Sequence, residues 1–190
     1  LPVQSMKELI AYAKANPGKV GYVTAGTNTS QHLTGLMLEK VTGAQLIHVS
    51  YKGGGPALTD LLGGQVQMGI LVLGPIMQHV QSGKLRALAV IESSRAKAAP
   101  QIPTLEEAGL KGFDADSVFG FYAPAGTPAD VVTKLNREIN RILATPALKE
   151  RIQNLGGEAL PLTPAEFGAR ASEDSKRFGA IIRERKITGD

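Results

Sequence analysis

The chain has 190 residues, of which 43% are hydrophobic and 20% charged, enough to bury a core in one domain or in one domain and part of another. Its net charge of +4 is mild and its basic residues are scattered, which gives weak support for nucleic-acid binding. This charge is typical of a preference for small acidic ligands or simply of a solvated basic surface. The absence of cysteine excludes disulfides, thiolate chemistry and sulfur-ligated metals. The longest apolar stretch, around 68–77, is shorter than the roughly 20 residues of a membrane-spanning helix.

Helices and strands alternate through the first two thirds of the chain. Ser5 is a predicted N-cap for a helix over 6–15, and further helices are predicted over about 30–41, from Pro56 and from Pro75. Thr104 and Glu107 show the spacing of a capping box. Strands are predicted over 20–24, 46–49, 65–71, 85–91 and 116–123. This alternation predicts an α/β fold with a mostly parallel sheet, which binds ligands at the C-terminal ends of its strands.

Beyond Ala123 the pattern changes to helices. Each of three Thr-Pro pairs offers an N-cap followed by proline at the first helical position, namely Thr127-Pro128, Thr145-Pro146 and Thr163-Pro164. The predicted helices cover about 128–144, 147–154 and 165–185, with one short strand near 158–160. Their apolar faces need a sheet to cover, so this tail is predicted to belong to a second domain whose strands lie outside the chain.

Two strand, turn and helix units follow each other between Gly21 and Gly64. Each strand stops at glycine and hydroxyl residues before a helix begins. Such an ending leaves backbone N–H groups unpaired beside the positive end of the helix dipole. The sequence therefore predicts a cradle for an anion, either a carboxylate or a phosphate.

The first turn of this cradle is rich in small and hydroxyl residues, which are Thr24, Ala25, Gly26, Thr27, Asn28, Thr29 and Ser30. Gly26 permits a close approach of the backbone, and the N–H groups of about 27–30 are predicted to face the anion. The hydroxyl groups of Thr27, Thr29 and Ser30 can also donate hydrogen bonds. The alternative is that Thr29 or Ser30 only caps the helix and that nothing binds.

The second turn runs from Ser50 to Ala57 and contains three consecutive glycines. Its N–H groups near the helix start are predicted to form the pocket wall, with Gly54, Gly55 and Ala57 as ligand contacts and Tyr51 offering its ring or hydroxyl. Leu71, at the end of the third strand, is a further predicted contact. The alternatives are that the glycines only shape the turn and that Lys52 is solvated.

No catalytic residue, metal site or cofactor is predicted. The spacing of the three histidines fits neither a zinc motif nor a triad, and Glu106-Glu107 occupy adjacent helix positions that do not face one site. His32, one turn into its helix, is retained as a candidate ligand contact. No nucleophile elbow, phosphate-binding loop motif or dinucleotide fingerprint occurs.

Six segments in order resemble the substrate-binding receptors of tripartite tricarboxylate transporters, the Bug family. They are GYVTAGTNTSQHL, HVSYKGGGPALTDLLGGQVQMG, SGKLRALAV, PTLEEAGLKGF, FGFYAPAGTPADVVTKLN and LGGEALPLTPAEF. The resemblance implies a periplasmic, non-enzymatic solute-binding protein of the type II, Venus flytrap fold. Such a receptor captures a small organic acid between two domains and delivers it to membrane permease subunits, without nucleic acid and without inserting into the membrane itself.

The same resemblance assigns the parts of the chain. Residues 1–117 correspond to a complete ligand-binding domain, and residues 118–190 to a hinge-crossing strand and the C-terminal helices of an incomplete first domain. The rest of that domain and a signal peptide are expected upstream. The loop over 24–30 corresponds to the family's carboxylate-gripping loop, and 50–57 to its PYKG turn, with Ser50 in place of proline.

Three departures from the family pattern bear on ligand choice. Gln67 and Leu71 stand where relatives often have acidic or polar residues, and Val118 stands where they often have tryptophan. We therefore expect an organic acid with an apolar body rather than a tricarboxylate. Two other functions stay open at this point: the effector domain of a bacterial transcription regulator, and an enzyme acting on a phosphorylated substrate.

Overall fold

A parallel three-stranded sheet organises the first half of the protein. The computed structural model describes residues 1–111, 113, 115–116, 118–185 and 187. Strands β1 (Val20–Thr24), β2 (Leu46–Ser50) and β3 (Met68–Gly69) lie in the order β2-β1-β3. Thr24 pairs with Ser50, so the ends of β1 and β2 lie side by side. The predicted α/β class with a parallel sheet is confirmed.

Helices lie between the strands and make up most of the last third of the chain. Their bounds are α1 (Met6–Ala15), α2 (Ser30–Thr42), α3 (Gly54–Leu62), α4 (Leu73–Gln81), α5 (Ala129–Leu143), α6 (Pro146–Asn154) and α7 (Pro164–Glu184). The predicted caps of α1 and α7 are confirmed: Ser5 Oγ accepts from the Glu8 N–H, and Thr163 forms a full capping box with Glu166.

The central strand β1 is the most buried element, because it has a neighbour on each side and helices over its faces. Each of its five residues is buried. The main core contains Val20 of β1, Met6 and Leu9 of α1, and Leu38 of α2. Burial on both faces explains why β1 reads as a continuous run without polar alternation.

Several predicted strands are shorter than expected or absent from the described residues. Strand β3 covers two residues instead of 65–71, and 85–91 forms only a single parallel bridge, from Val90 to Thr104. The described residues of 116–123, and 158–160, form no strand; Ser117 lies outside the described residues. A strand requires a neighbour to pair with, and the described residues offer none to 118–123 or 158–160.

Some helix starts also differ from prediction. Helix α3 begins at Gly54 rather than Pro56, and α4 at Leu73 rather than Pro75, because proline is accepted anywhere in the first turn, where N–H groups lack partners. Pro128 itself occupies the N-cap position of α5, and Thr127 Oγ1 donates to the Pro124 carbonyl instead. Thr104 and Glu107 make both capping-box hydrogen bonds, yet they close a turn and not a helix.

Apolar side chains are exposed beyond the sheet. Phe119, Phe121 and Tyr122 are 88%, 81% and 75% exposed, and Leu135 of α5 is 52% exposed. Within the described residues, no helix combines the length and hydropathy that crossing a bilayer requires. These exposed apolar side chains lie on the segment that precedes α5 and on α5 itself, and the Tyr122 ring contacts that of Phe167.

The contact between α2 and β1 leads to a stability prediction. A methyl group added at Gly35 would lie 2.3 Å from the ring of Tyr22, whose side chain is 1% exposed and has no room to turn away. We expect Gly35→Ala to lower the free energy of unfolding by about 1–3 kcal/mol, despite alanine's better helix propensity. Chemical denaturation measures this change. In the matched control Gly168→Ala, on α7, the new methyl meets nothing within 4 Å, and a small gain in stability is expected. Equal effects of the two variants would contradict the prediction.

Candidate functional site

The first loop connects β1 to α2 and is held by its own side chains. Thr29 caps α2: its Oγ1 accepts from the His32 N–H at 3.3 Å and donates to the Gly26 carbonyl at 2.7 Å. Asn28 adopts a positive φ of 63°, a conformation that asparagine tolerates better than most residues. The loop therefore has one defined shape, set by the local sequence.

Some N–H groups of this loop are occupied and others are not. The N–H groups of Ala25, Gly26 and Asn28 meet the side chains of Gln31, Thr24 and His32 respectively. Among the described residues, no protein group accepts from four further N–H groups, those of Thr27, Thr29, Ser30 and Gln31. These four donors cluster at the positive end of α2, where an anion is stabilised.

The second loop, between β2 and α3, is bonded directly to the first. The Tyr51 N–H donates to the Thr24 carbonyl at 3.3 Å, and the Gly53 N–H donates to the Ala25 carbonyl at 2.8 Å. Within the part of the chain that the structure describes, the N–H groups at the start of α3, those of Gly54, Gly55 and Ala57, have no protein acceptor. Two helix N-termini with unpaired donors therefore adjoin each other.

Side chains complete the link between the loops. Thr27 Oγ1 donates to Ser50 Oγ at 3.0 Å, and the Tyr51 hydroxyl donates to Asp60 Oδ2 at 2.5 Å. The hydrogen bond from Tyr51 to Asp60 raises the pKa of the tyrosine, since the bond favours the protonated phenol. Tyr51 is thereby tied to α3 through the hydroxyl that sequence reasoning had offered to a ligand.

A large open cavity of about 1650 Å³ begins beside the first loop. Ser30, Gln31 and Thr34 of α2 line it on one side, and Leu71 lines it after β3. On its far side lie apolar residues of α5 and the exposed segment over 118–124. The remaining loop residues lie outside this cavity, so the donors of α2 touch it only at its edge. The cavity is larger than the roughly 300–1,000 Å³ of ordinary ligand pockets.

A family model described as the tripartite tricarboxylate transporter family receptor matches residues 1–187. The protein BugT of Bordetella pertussis is 35% identical over 184 residues, which is 97% of this chain and 56% of BugT. The chain belongs to the tripartite tricarboxylate transporter receptor family. It spans about half the length of the curated relatives that it matches first.

Solved receptors share the fold of this chain. An R. palustris protein, Rpa4515 with adipate, superposes with a TM-score of 0.87 at 30% identity, over 96% of this chain and 61% of that one. The periplasmic binding protein BugD gives 0.80 at 33% identity, over 100% and 64%. MatC from Rhodopseudomonas palustris with bound malate gives 0.77 at 27% identity, over 95% and 63%. The family is one of solute receptors and not of enzymes.

Two predicted contact residues of the receptor lie deeper than sequence reasoning placed them. Thr24 is fully buried, and its Oγ1 lies 2.7 Å from His48 Nε2. His32 is 8% exposed, and its ring stacks on that of His48. A third predicted contact residue, Ala57, is also fully buried. The direct ligand contacts proposed for these side chains remain predictions.

The receptor's geometry adds residues that sequence reasoning missed. Gln31 contributes an unpaired N–H and lines the cavity, and Thr34 lines it one turn further along α2. The helical spacing from Ser30 to Thr34 could have indicated this face. His48 gave no such signal, because its position beside His32 depends on strand pairing. Among the described residues, no group of three metal-ligating side chains comes together.

Proposed function

We propose that this receptor captures a small organic acid through the carboxylate and delivers it to the permease subunits of a tripartite tricarboxylate-type transporter. The observation that carries this proposal is the pair of adjoining helix N-termini, α2 and α3, with unpaired N–H donors. A carboxylate accepts several N–H bonds at once, and each bond to a charged group contributes about 1.5–3 kcal/mol. The site is proposed to lie in the periplasm, as in the family.

The first loop is the main grip in this proposal, and the second is its wall. The donors lie at the N-terminus of α2, a helix of 13 residues. The helix dipole therefore stabilises a bound carboxylate further, by about 0.3–1 kcal/mol. Neither lysine nor arginine is needed, because backbone N–H groups supply the complementary charge.

Ligand class follows from the relatives and from the apolar wall. Adipate and malate are the acids in two of the related receptors, which supports a carboxylate for this chain as well. Beside the cavity, Leu71, Val72 and Leu73 follow β3. Gln67 Oε1 accepts from the Gly21 N–H of β1 at 2.8 Å, so this side-chain oxygen is already engaged within the protein. These residues support an acid with an apolar body over citrate.

The ligand proposal is tested by calorimetric titration of the full-length protein with monocarboxylates, aromatic acids, adipate, malate and citrate. Acids with an apolar body should bind more tightly than citrate, with no turnover. Tight binding of citrate without response to the other acids would overturn the ligand assignment. Failure of every carboxylate to bind would overturn the carboxylate function itself.

The domain division also belongs to this proposal. Residues 1–117 would form the ligand-binding domain, and 118–190 the crossing segment and helices of the other domain. The main core cluster draws its buried residues from 6–115, and the exposed aromatic segment follows it directly, which supports a boundary near 117. The comparisons with known proteins give no support to the regulator alternative.

A further inference from the structure

Two histidines stack behind the first loop and touch it at two points. The rings of His32, on α2, and His48, on β2, lie 3.9 Å apart between centroids with planes 14° from parallel. His48 Nε2 lies 2.7 Å from Thr24 Oγ1, and His32 Nδ1 lies 3.3 Å from the Asn28 N–H. The pair therefore contacts the loop where it leaves β1 and again just before α2.

The hydrogen bond at Asn28 determines the protonation of His32. A backbone N–H only donates, so Nδ1 of His32 must carry a lone pair and its proton must sit on Nε2. If Nδ1 were protonated, its N–H would face the Asn28 N–H, and this hydrogen bond would be lost. A positive charge on either ring would also repel charge on the other at 3.9 Å. The bond to Asn28 therefore requires a neutral His32, and simultaneous charge on both rings is disfavoured.

The groups around the pair favour the neutral form. Tyr22 of β1 lies with its ring 5.1 Å from that of His48. Burial lowers the pKa of His32, and the Glu39 carboxylate on α2 opposes this with a smaller effect. Burial and, secondarily, His32 lower the pKa of His48 from 6.5 to about 4. Burial raises the pKa of the Tyr22 hydroxyl. Glu39 raises this pKa further, and Arg185, which directly follows α7, lowers it by a smaller amount.

We propose that the stacked neutral histidines are positioning residues for the anion-binding loop, holding Thr24 and Asn28 so that the donors between and beyond them converge on the carboxylate. The inference rests on the proposed carboxylate site, since it assigns a role within that site. His32 thus acts from behind the loop through Asn28, and His48 acts through Thr24.

Acid should loosen this loop. Both histidines have a pKa below the ordinary value, so a disordered loop, with solvated rings, binds more protons than the ordered loop. The ordering contribution is complete above the ordinary pKa of 6.5 and declines as pH falls toward about 4, the pKa of His48. The order of the first loop should therefore decrease at acid pH, whereas apolar side chains in place of the two histidines would give no such pH dependence.

Paired variants of the full-length protein separate positioning from packing. His32→Leu and His48→Leu remove the ring nitrogens, whereas His32→Asn and His48→Gln keep an acceptor near the original nitrogen but do not titrate. The two Leu variants should speed amide exchange in the loop, at Asn28 above all, and weaken adipate or malate binding, each by about tenfold near pH 7. The Asn and Gln variants should recover most of both losses. His79→Gln, on α4, should match the unmodified protein.

The pH profile supplies the second readout. In the ligand-free protein, loop protection corrected for intrinsic exchange should decline below about pH 6.5, and the Asn and Gln double variant should not show this decline. Unchanged protection in the Leu variants, or ring nitrogens that titrate at the ordinary histidine value, would overturn the inference. Exchange and ring titration need no ligand, so they decide this question even if no carboxylate binds and the proposed function fails.

Discussion

Replacing Ser30 by proline is expected to weaken carboxylate binding by about 10- to 100-fold while leaving the fold intact. The substitution removes the N–H at the first position of α2, one of the donors without a protein acceptor. Proline suits this position because its missing N–H is not part of the helix ladder. Thr29 already has the extended backbone, with ψ of 160°, that a residue before proline adopts.

The same residue pair already occurs at two other helix starts of this protein. Helices α6 and α7 both begin with threonine at the N-cap and proline at the next position, the pair that Ser30→Pro would create at α2. Ser30→Ala removes the hydroxyl but keeps the N–H, so the difference in Kd between the two variants isolates the backbone donor. Calorimetric titration with the preferred acid measures it. Equal Kd values for the two variants, at unchanged melting temperature, would show that this N–H does not bind the ligand.

Replacing Gly53 by alanine is expected to lower the free energy of unfolding by about 1–3 kcal/mol and to weaken carboxylate binding as well. Gly53 has φ of 107° and ψ of 167°, a region that residues with a Cβ atom avoid. Its N–H donates to the Ala25 carbonyl, which joins the second loop to the first. Relief of the strain would move the start of α3 and separate its donors from those of α2.

Gly63→Ala is the matched control for Gly53, because it lies at the other end of α3 with an ordinary φ of −73°. A methyl group there meets the Thr59 carbonyl at 3.4 Å, an ordinary contact. Denaturation and titration of both variants measure the two effects. A Gly53→Ala protein with the stability and affinity of Gly63→Ala would show that neither the backbone strain nor the link between the loops matters.

The loop geometry refines the anion cradle that the sequence indicated. In the structure, some backbone N–H groups of the glycine- and hydroxyl-rich loop donate to protein side chains, and others have no protein acceptor among the described residues. Ala25 and Asn28 give their N–H groups to side chains of α2, whereas Ser30 does not. The predicted cradle therefore has fewer available donors than the loop has N–H groups.

Local chemistry alone was enough for much of the fold. The strands β1 and β2, the caps at Ser5 and Thr163, and the start of α2 follow from patterns within about ten residues, because strand runs and N-caps depend on neighbouring side chains. The third strand is shorter than predicted, and the described residues of 85–91 and 116–123 form no strand. Pairing needs a partner from elsewhere in the protein, which a local pattern does not reveal.

The amino-acid sequence by itself determined the α/β class, the two glycine-rich turns and the family, since these depend on periodicity and on motifs in a fixed order. Only the tertiary structure decided which side chains of the turns face outward. Thr24 and His32 belong to the predicted site by position, yet both are buried because β1 lies beside β2 and brings His48 against them. The contact between Thr24 and His48 spans 24 residues of chain and depends on strand register, which no local sequence pattern reveals.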